Sequence, residues 1–457
     1  MTTHRPSTRM TAVWAILAFA VTVAVALLGV SKAPGSPFDE AAHLDYVAKL
    51  SHGHMPKVYE QYGQDVLGEL ACDNPRGEAW AGLEPCGSKH YTPGLAPWGG
   101  LSTATNYAPT YYALTAVPYR VCDVTTSLHP RVCGRVANTL WLGAASVGFF
   151  LLMMLLGCAV LPALLVSVGT SLMPAVLLQG ITVNPDAAVQ AFAAWLAVLA
   201  VWMATRSRIG HWKQVLLMGL AGVFTVTAKE TTLVSFSVVM LMLAFLLSHG
   251  RPRADQVRRW AAIAGTVAVV VLVAALSRIL QPDLRGVGGV NTLEELSKVP
   301  ADVIDDGALG AFGASMAPFT GLVWGPLAGP YLFAVSAAMT AITWGLALQI
   351  RLPRRLVRTA QEPAPVPSDG VVVEKTPGEG AFPVLAIALS WILPAALIVL
   401  TWLSSRAVPY QQRYYMATAA LLLVMGTATT TNPWLRWLSA GVLALTSAMV
   451  VQSLLTA

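Results

Sequence analysis

Charge is what this chain has least of: Asp, Glu, Lys and Arg make up 11% of its 457 residues, while 55% are hydrophobic. Soluble domains carry about 25% charged residues, so this composition excludes an ordinary soluble protein and identifies a multi-pass membrane protein. Cysteine is scarce too, at 5 residues, and no spacing among them suggests a zinc site. Neither an internal repeat nor a strand-rich segment is visible, which leaves a helical bundle. The net charge of +6 is no nucleic-acid signature, because the basic residues sit in short loops beside apolar runs rather than on a soluble face.

What is present is a succession of apolar stretches of spanning length, about 20 residues each. They fall at 11–31, 133–156, 160–181, 185–204, 213–228, 231–248, 261–280, 326–349, 383–403, 412–430 and 434–454. The expected fold is therefore an all-α integral membrane bundle of about 11 transmembrane helices. Pro34 directly follows the small residues that end the first stretch, which disfavours cleavage and makes that stretch a retained signal anchor. Basic residues cluster in the N-terminal tail (His4, Arg5, Arg9), at Arg206, Arg208 and Lys213, from Arg251 to Arg259, and from Arg351 to Arg358. The positive-inside rule puts all four clusters in the cytoplasm of a cell whose plasma membrane the protein spans. This works if Tyr107 to Val121, short and carrying Pro109, Pro118 and Arg120, lies on the outer surface as an interfacial helix.

That topology places a large first loop, 32–132, outside, together with Cys72, Cys86, Cys122 and Cys133, and leaves Cys158 inside. An oxidising exterior then favours Cys72 with Cys86 and Cys122 with Cys133, which close short loops, although three connectivities are open. The acidic outer loop 281–322 reads as solvated surface. The segment 351–382 turns from basic to Pro-rich and reads as a flexible cytoplasmic linker between an N-terminal catalytic module, 1–350, and C-terminal helices, 383–457.

Chemistry concentrates at the outer ends of the spans, where ionisable groups are costly unless they serve a ligand or a partner. Just after the first span comes Pro37-Phe38-Asp39-Glu40-Ala41-Ala42-His43. On a helix Asp39, Glu40 and His43 share a face, which suits acid/base work or cation binding. Ser36 and Asp39 also fit a capping box, which would explain Asp39 but neither Glu40 nor His43. Asn184-Pro185-Asp186 opens a later span, and Lys229-Glu230 joins two spans; a cap and a self-paired turn are their plainer readings. Arg406 and Arg413 flank Tyr410 at an outer position where the positive-inside rule does not call for arginine. A guanidinium there could grip a phosphate through paired hydrogen bonds or simply snorkel to headgroups.

Carboxylates with arginine and lysine suit glycosyl transfer from a phospholipid-linked sugar, since charge builds on the departing phosphate while a base takes the acceptor proton. The chain resembles the GT-C class of membrane glycosyltransferases, and within it a bacterial multi-pass membrane family of unknown function. The likeness rests on Pro37 to His43, Tyr107-Ala108-Pro109-Thr110-Tyr111-Tyr112, Asn184-Pro185-Asp186, Ala228-Lys229-Glu230-Thr231 and Gln412-Arg413-Tyr414-Tyr415. GT-C enzymes often carry a proline pair before the two aromatics; here Thr110 follows Pro109. The resemblance implies a GT-C-like bundle whose first outer loop contains interfacial helices. It also implies Asp39 and Asp186 as catalytic carboxylates or ligands of a divalent cation, Mg or Mn, with Glu40 as the competing base and no organic cofactor. Lys229 and Arg413 would hold the carrier phosphate, with His43, Tyr111, Tyr112 and Tyr410 as further substrate-binding residues. The partners would be the bilayer, a polyprenyl-phosphate-sugar donor and a glycan, lipid or protein acceptor met by the outer loops. Tyr59, Tyr62, Trp80, Tyr91 and Trp98 in the first loop fit sugar stacking and an interfacial aromatic belt equally well. A lipid-sugar transporter or flippase, or a non-catalytic envelope-assembly protein, are the competing readings.

Overall fold

The computed structural model describes residues 7–33, 40–57, 60–72, 83–205, 210–248, 253–279, 330–350, 381–392 and 413–456. Asp39, Tyr59, Trp80, the acidic loop 281–322, Arg406, Tyr410 and nearly all of the linker 351–382 lie outside them. Each apolar stretch anticipated as a span coincides with helix where it is described. These are α1 (Thr8–Val30), α5 (Pro130–Leu155), α6 (Val160–Ser171) with α7 (Pro174–Gly180), α8 (Asp186–Thr205), α9 (His211–Ala228) and α10 (Thr232–Ser248). They continue with α11 (Arg253–Ile279), α12 (Pro330–Ala347), α13 (Ala381–Ile392), α14 (Arg413–Thr429) and α15 (Pro433–Thr456). Among the described residues, 5 helices are long and apolar enough to cross a membrane, or 6 with the α6–α7 pair counted as one.

That pair departs from the single span expected over 160–181: it bends by 66° between Ser171 and Pro174. Pro174 cannot donate a backbone hydrogen bond and sits in the first turn of α7, where a proline costs nothing, so the chain restarts there in a new direction. From Gly169 to Ala194 every residue is buried, so the broken backbone lies within protein, as lipid requires.

The first loop folds over one end of the bundle. It contains α2 (Glu40–Ser51), α3 (Gln64–Cys72), three short 3₁₀ turns and α4 (Thr110–Thr125). The helix over Tyr107 to Val121 is thus present as α4, and its buried face carries Tyr111, Tyr112, Thr115, Tyr119 and Cys122. Tyr111, Tyr112, Tyr119 and Cys122 form a second core with Leu44, Tyr46, Val47 and Leu67, reaching Val183, Ala188 and Phe192 of the bundle. Close approach is permitted by glycine: a Cβ on Gly134 of α5 would meet Leu44 at 2.7 Å and Val183 at 2.8 Å. Ion pairs lock the cap: Glu69 of α3 accepts from His129 and Arg131 at the start of α5, and Lys49 bridges Asp45 at 2.9 Å and Glu60 at 3.2 Å.

Both expected disulfides form. Cys72–Cys86 ties the end of α3 to its loop and Cys122–Cys133 ties α4 to the first turn of α5, while Cys158 is a buried free thiol. The opposite end of the bundle carries exposed Trp212, Trp434 and Trp437, a placement that suits a membrane interface. In unreduced, denatured protein, thiol alkylation read by mass spectrometry should label Cys158 alone. Labelling of Cys72 or Cys133 before reduction would contradict the cap as described.

Candidate active site

Among the described residues, several ends of bundle helices gather beneath the cap, and the buried charged groups Glu40, Arg135, Asp186 and Lys229 gather with them. Arg135, one turn into α5, makes a bidentate ion pair with Glu40, Nε to Oε1 at 2.8 Å and Nη2 to Oε2 at 2.9 Å. Its other nitrogen donates to the carbonyls of Val30 and Ala33 at 2.9 and 2.6 Å, satisfying the C-terminal end of α1. Glu40 Oε1 also accepts from the backbone N–H of Val183, 3.0 Å away. One guanidinium therefore joins the end of α1, the start of α2 and the connection between α7 and α8. Both oxygens of Glu40 are engaged in this, so the carboxylate is tied into the scaffold.

One turn further along α5, Asn138 donates to the carbonyls of Gln179 and Thr182 at 2.9 and 2.6 Å and accepts from the Tyr111 hydroxyl at 2.7 Å. The orphan carbonyls at the end of α7 are thereby satisfied by a side chain. Neither Arg135 nor Asn138 was singled out from sequence. The signal existed: two polar residues at i, i+3 inside an apolar span are expensive unless they have a task.

Asp186 opens α8, with Asn184 Oδ1 accepting from its backbone N–H at 2.9 Å. The cap reading of Asn184 is thus realised. The carboxylate of Asp186 meets Lys229 Nζ at 3.6 Å, and both side chains are buried. The Lys229 ammonium also lies 4.9 Å from the centroid of the Tyr107 ring, a cation–π distance. Thr110 donates to Thr227 at 3.1 Å, so the Tyr107-to-Tyr112 motif is held directly against the Lys229 turn. His43 Nδ1 and the Tyr112 hydroxyl share a 2.8 Å hydrogen bond, and Tyr112 stacks on Tyr46 with ring centroids 4.0 Å apart. Burial pushes the Tyr111 and Tyr112 hydroxyls far above the ordinary phenol range, so both stay protonated.

Of the residues expected in the site, Glu40, His43, Tyr111, Tyr112, Asp186 and Lys229 are brought to this one end. Arg413 is described only as the first residue of α14. Its placement follows from packing: Ala417 meets Val189 and Ala193 of α8, while Met416 is contacted by Gln179 Nε2 at 4.0 Å. Ala417 is one turn from Arg413 and Val189 is close to one turn from Asp186, so the two helices begin at the same level. Asp39 and Tyr410 lie outside the described residues. Among the described residues no three His, Cys, Asp or Glu side chains gather as metal ligands. Asp186 faces an ammonium where a bridging cation would need a second carboxylate, so the described donors do not by themselves compose a cation site.

Outside the pair, burial raises Asp45 above the usual carboxylate range, opposed by the charge of Lys49 and by the Gly63 N–H that Asp45 accepts at 2.7 Å.

Residues 19–422 match the family described as "Predicted membrane protein (DUF2142)", and the chain belongs to it, in keeping with the expected likeness to a multi-pass membrane family. No curated protein matches the chain. Among solved structures, the crystal structure of the Archaeoglobus fulgidus oligosaccharyltransferase in complex with Zn and sulfate is similar at 12% identity and a TM-score of 0.42. The alignment covers 95% of this chain and 53% of that one, so the chain spans about half the length of that protein.

Replacing Glu40 or Arg135 singly with Ala should destabilise the protein by about 3–5 kcal/mol, since each leaves a buried charge without its partner. A thermal-melting double-mutant cycle in detergent should show strong coupling; additive losses would mean that the pair is not formed. Asp45→Ala should cost about 1–3 kcal/mol by stranding the Gly63 N–H, whereas Asp45→Asn, which keeps an acceptor and removes a buried charge, should cost less. Equal losses for the two would contradict that account.

Proposed function

We propose that this member of the family is a glycosyltransferase of the plasma membrane. It would move a sugar from a polyprenyl-phosphate donor to a cell-envelope glycan, lipid or protein on the extracytoplasmic face. The observation that carries the reading is the buried Asp186–Lys229 pair, set at the same end of the bundle as the start of α14 and roofed by the α2–α4 cap. An acid, a lysine and an arginine-bearing helix start meet where a carrier phosphate at the membrane surface would be presented. In support of the reading, the described residues of the motifs that resemble GT-C enzymes, Glu40, His43, Tyr111, Tyr112, Asp186 and Lys229 among them, lie at that end.

In the proposed reaction the acceptor hydroxyl attacks the anomeric carbon and its proton passes to a carboxylate, for which Asp39 is the candidate. The bond from the anomeric carbon to the phosphate oxygen breaks, and the electron pair leaves with polyprenyl phosphate. Lys229 and Arg413 would stabilise the added charge, the arginine through paired hydrogen bonds. Asp186 would hold Lys229 in place. Glu40 enters as a positioning group, because Arg135 and the Val183 N–H occupy its carboxylate. His43, Tyr112 and Tyr111 would shape the wall beside the donor. A nucleotide sugar is not generally available on that face, which is why a lipid carrier is the donor proposed.

Protein reconstituted in liposomes with glycosyl polyprenyl phosphates should release polyprenyl phosphate. Asp39→Asn and Asp186→Asn should each lower that release by about 10²-fold or more while leaving the protein folded. Arg413→Ala should raise the donor KM strongly, and Arg413→Lys should recover only part, because an ammonium lacks the bidentate geometry. Full release by Asp39→Asn, or an unchanged donor KM for Arg413→Ala together with Lys229→Ala, would sink the reading.

A further inference from the structure

Below the Asp186–Lys229 pair a polar stripe runs into the bundle. On α8, Val189, Gln190 and Ala193 follow Asp186 at intervals of three, four and seven and share its face. On the α10 side, Thr231 and Thr232 follow Lys229 and Glu230 in the chain, and Ser235, four residues after Thr231, bonds to Thr418 of α14 at 3.0 Å. Three consecutive residues of α14 thus meet three different helices: Met416 meets α7 at Gln179, Ala417 meets α8, and Thr418 meets α10. The stripe is enclosed by α7, α8, α10 and α14.

Four atoms in it have no hydrogen-bond partner among the described residues: Gln179 Oε1, Gln190 Oε1, Thr231 Oγ1 and Thr232 Oγ1. Their residues are 7%, 1%, 4% and 0% exposed. A buried polar oxygen without a partner is costly, and native interiors contain few of them. Here they belong to three chain segments, α7, α8 and the start of α10, each of which packs against one of three successive α14 residues, and two of those segments also carry Asp186 or closely follow Lys229. Two of them are amide oxygens, which only accept, and two are hydroxyls, which accept and donate. Their complement is a group rich in hydroxyls and without net charge.

We infer that Gln179, Gln190, Thr231 and Thr232 form the subsite for the glycosyl part of the donor, a polyhydroxylated, uncharged sugar held beneath its phosphate. This rests on the reading of the site as a polyprenyl-phosphate glycosyltransferase and adds to it where the sugar lies and which side chains read it. Gln179 and Gln190 would accept from sugar hydroxyls, and the two threonines would close the hydrogen-bond network from the opposite wall. The phosphate-holding charges, Lys229 and Arg413, are separate from these four, so sugar recognition and carrier recognition separate by mutation.

The test is binding to the reconstituted full-length protein of bare polyprenyl phosphate and of its glucosyl, galactosyl, mannosyl and arabinosyl derivatives. Wild type should bind at least one glycosylated carrier about tenfold or more tighter than the bare carrier, the size of effect expected where a site's polar groups are satisfied only by the correct ligand. Gln190→Leu and Thr232→Val, both apolar and no larger than the residues they replace, should abolish that increment, leave bare-carrier affinity within about twofold, and leave the melting temperature of the ligand-free protein unchanged or raised. A Gln190→Leu and Thr232→Val pair that retains the full increment overturns the subsite. Tight binding of bare carrier by wild type with no increment for any sugar also overturns it, while leaving the carrier-phosphate reading intact. Binding of none of the probes overturns both.

Discussion

A single buried guanidinium organises the capped end of this protein. Arg135 ends α1 by satisfying the carbonyls of Val30 and Ala33, begins α2 by pairing with Glu40, and through Glu40 holds the Val183 N–H in the turn before Asp186. Charge in a membrane interior is tolerated only when it is fully engaged. Five hydrogen bonds, two within the ion pair and three from it to backbone, meet that condition, and in meeting it they fix where three chain segments cross. The same requirement explains Asn138, one turn deeper, which satisfies the end of α7. A helix that breaks within the bundle needs such side chains, because no water is at hand to take the freed carbonyls.

Between helices in lipid the hydrophobic effect supplies little net attraction, so close backbone approach and side-chain hydrogen bonds carry more of the association. The bundle follows this pattern. A Cβ on Gly148 would meet Ala194 at 2.7 Å, and one on Gly180 would meet Leu142 at 1.9 Å. These contacts bring α5 against α7 and α8, the helices that present Gln179 and Asp186. The cap is held differently, by an aromatic core, two disulfides and ion pairs at its rim, as suits a small folded unit outside the hydrocarbon.

Placed side by side, the two acid–base pairs divide the work. Glu40–Arg135 is bidentate, and backbone groups on both sides of the pair, the Val183 N–H and the Val30 and Ala33 carbonyls, hold it as a fixed joint. Asp186–Lys229, at 3.6 Å and with the Tyr107 ring 4.9 Å from the ammonium, is a looser pair, its carboxylate set at a helix start that favours negative charge.

Much was legible in the residues alone. Hydrophobic runs located the helices because spanning length is imposed by bilayer thickness, and cysteine spacing in the first loop anticipated both disulfides because short loops close readily. Local motifs also gathered Glu40, His43, Asp186 and Lys229 on one end, since charge at span ends is counted along the chain. Three things needed the tertiary structure. That Glu40 is a joint depends on Arg135, 95 residues away, and no spacing rule links them. The bend after Ser171 depends on Pro174 together with the Asn138 side chain that supports the far end of α7, whereas hydropathy sees one apolar run. The stripe of Gln179, Gln190, Thr231 and Thr232 exists only because α14 draws α7, α8 and α10 together. A lone polar residue in an apolar span has no address until its neighbours across the bundle are known.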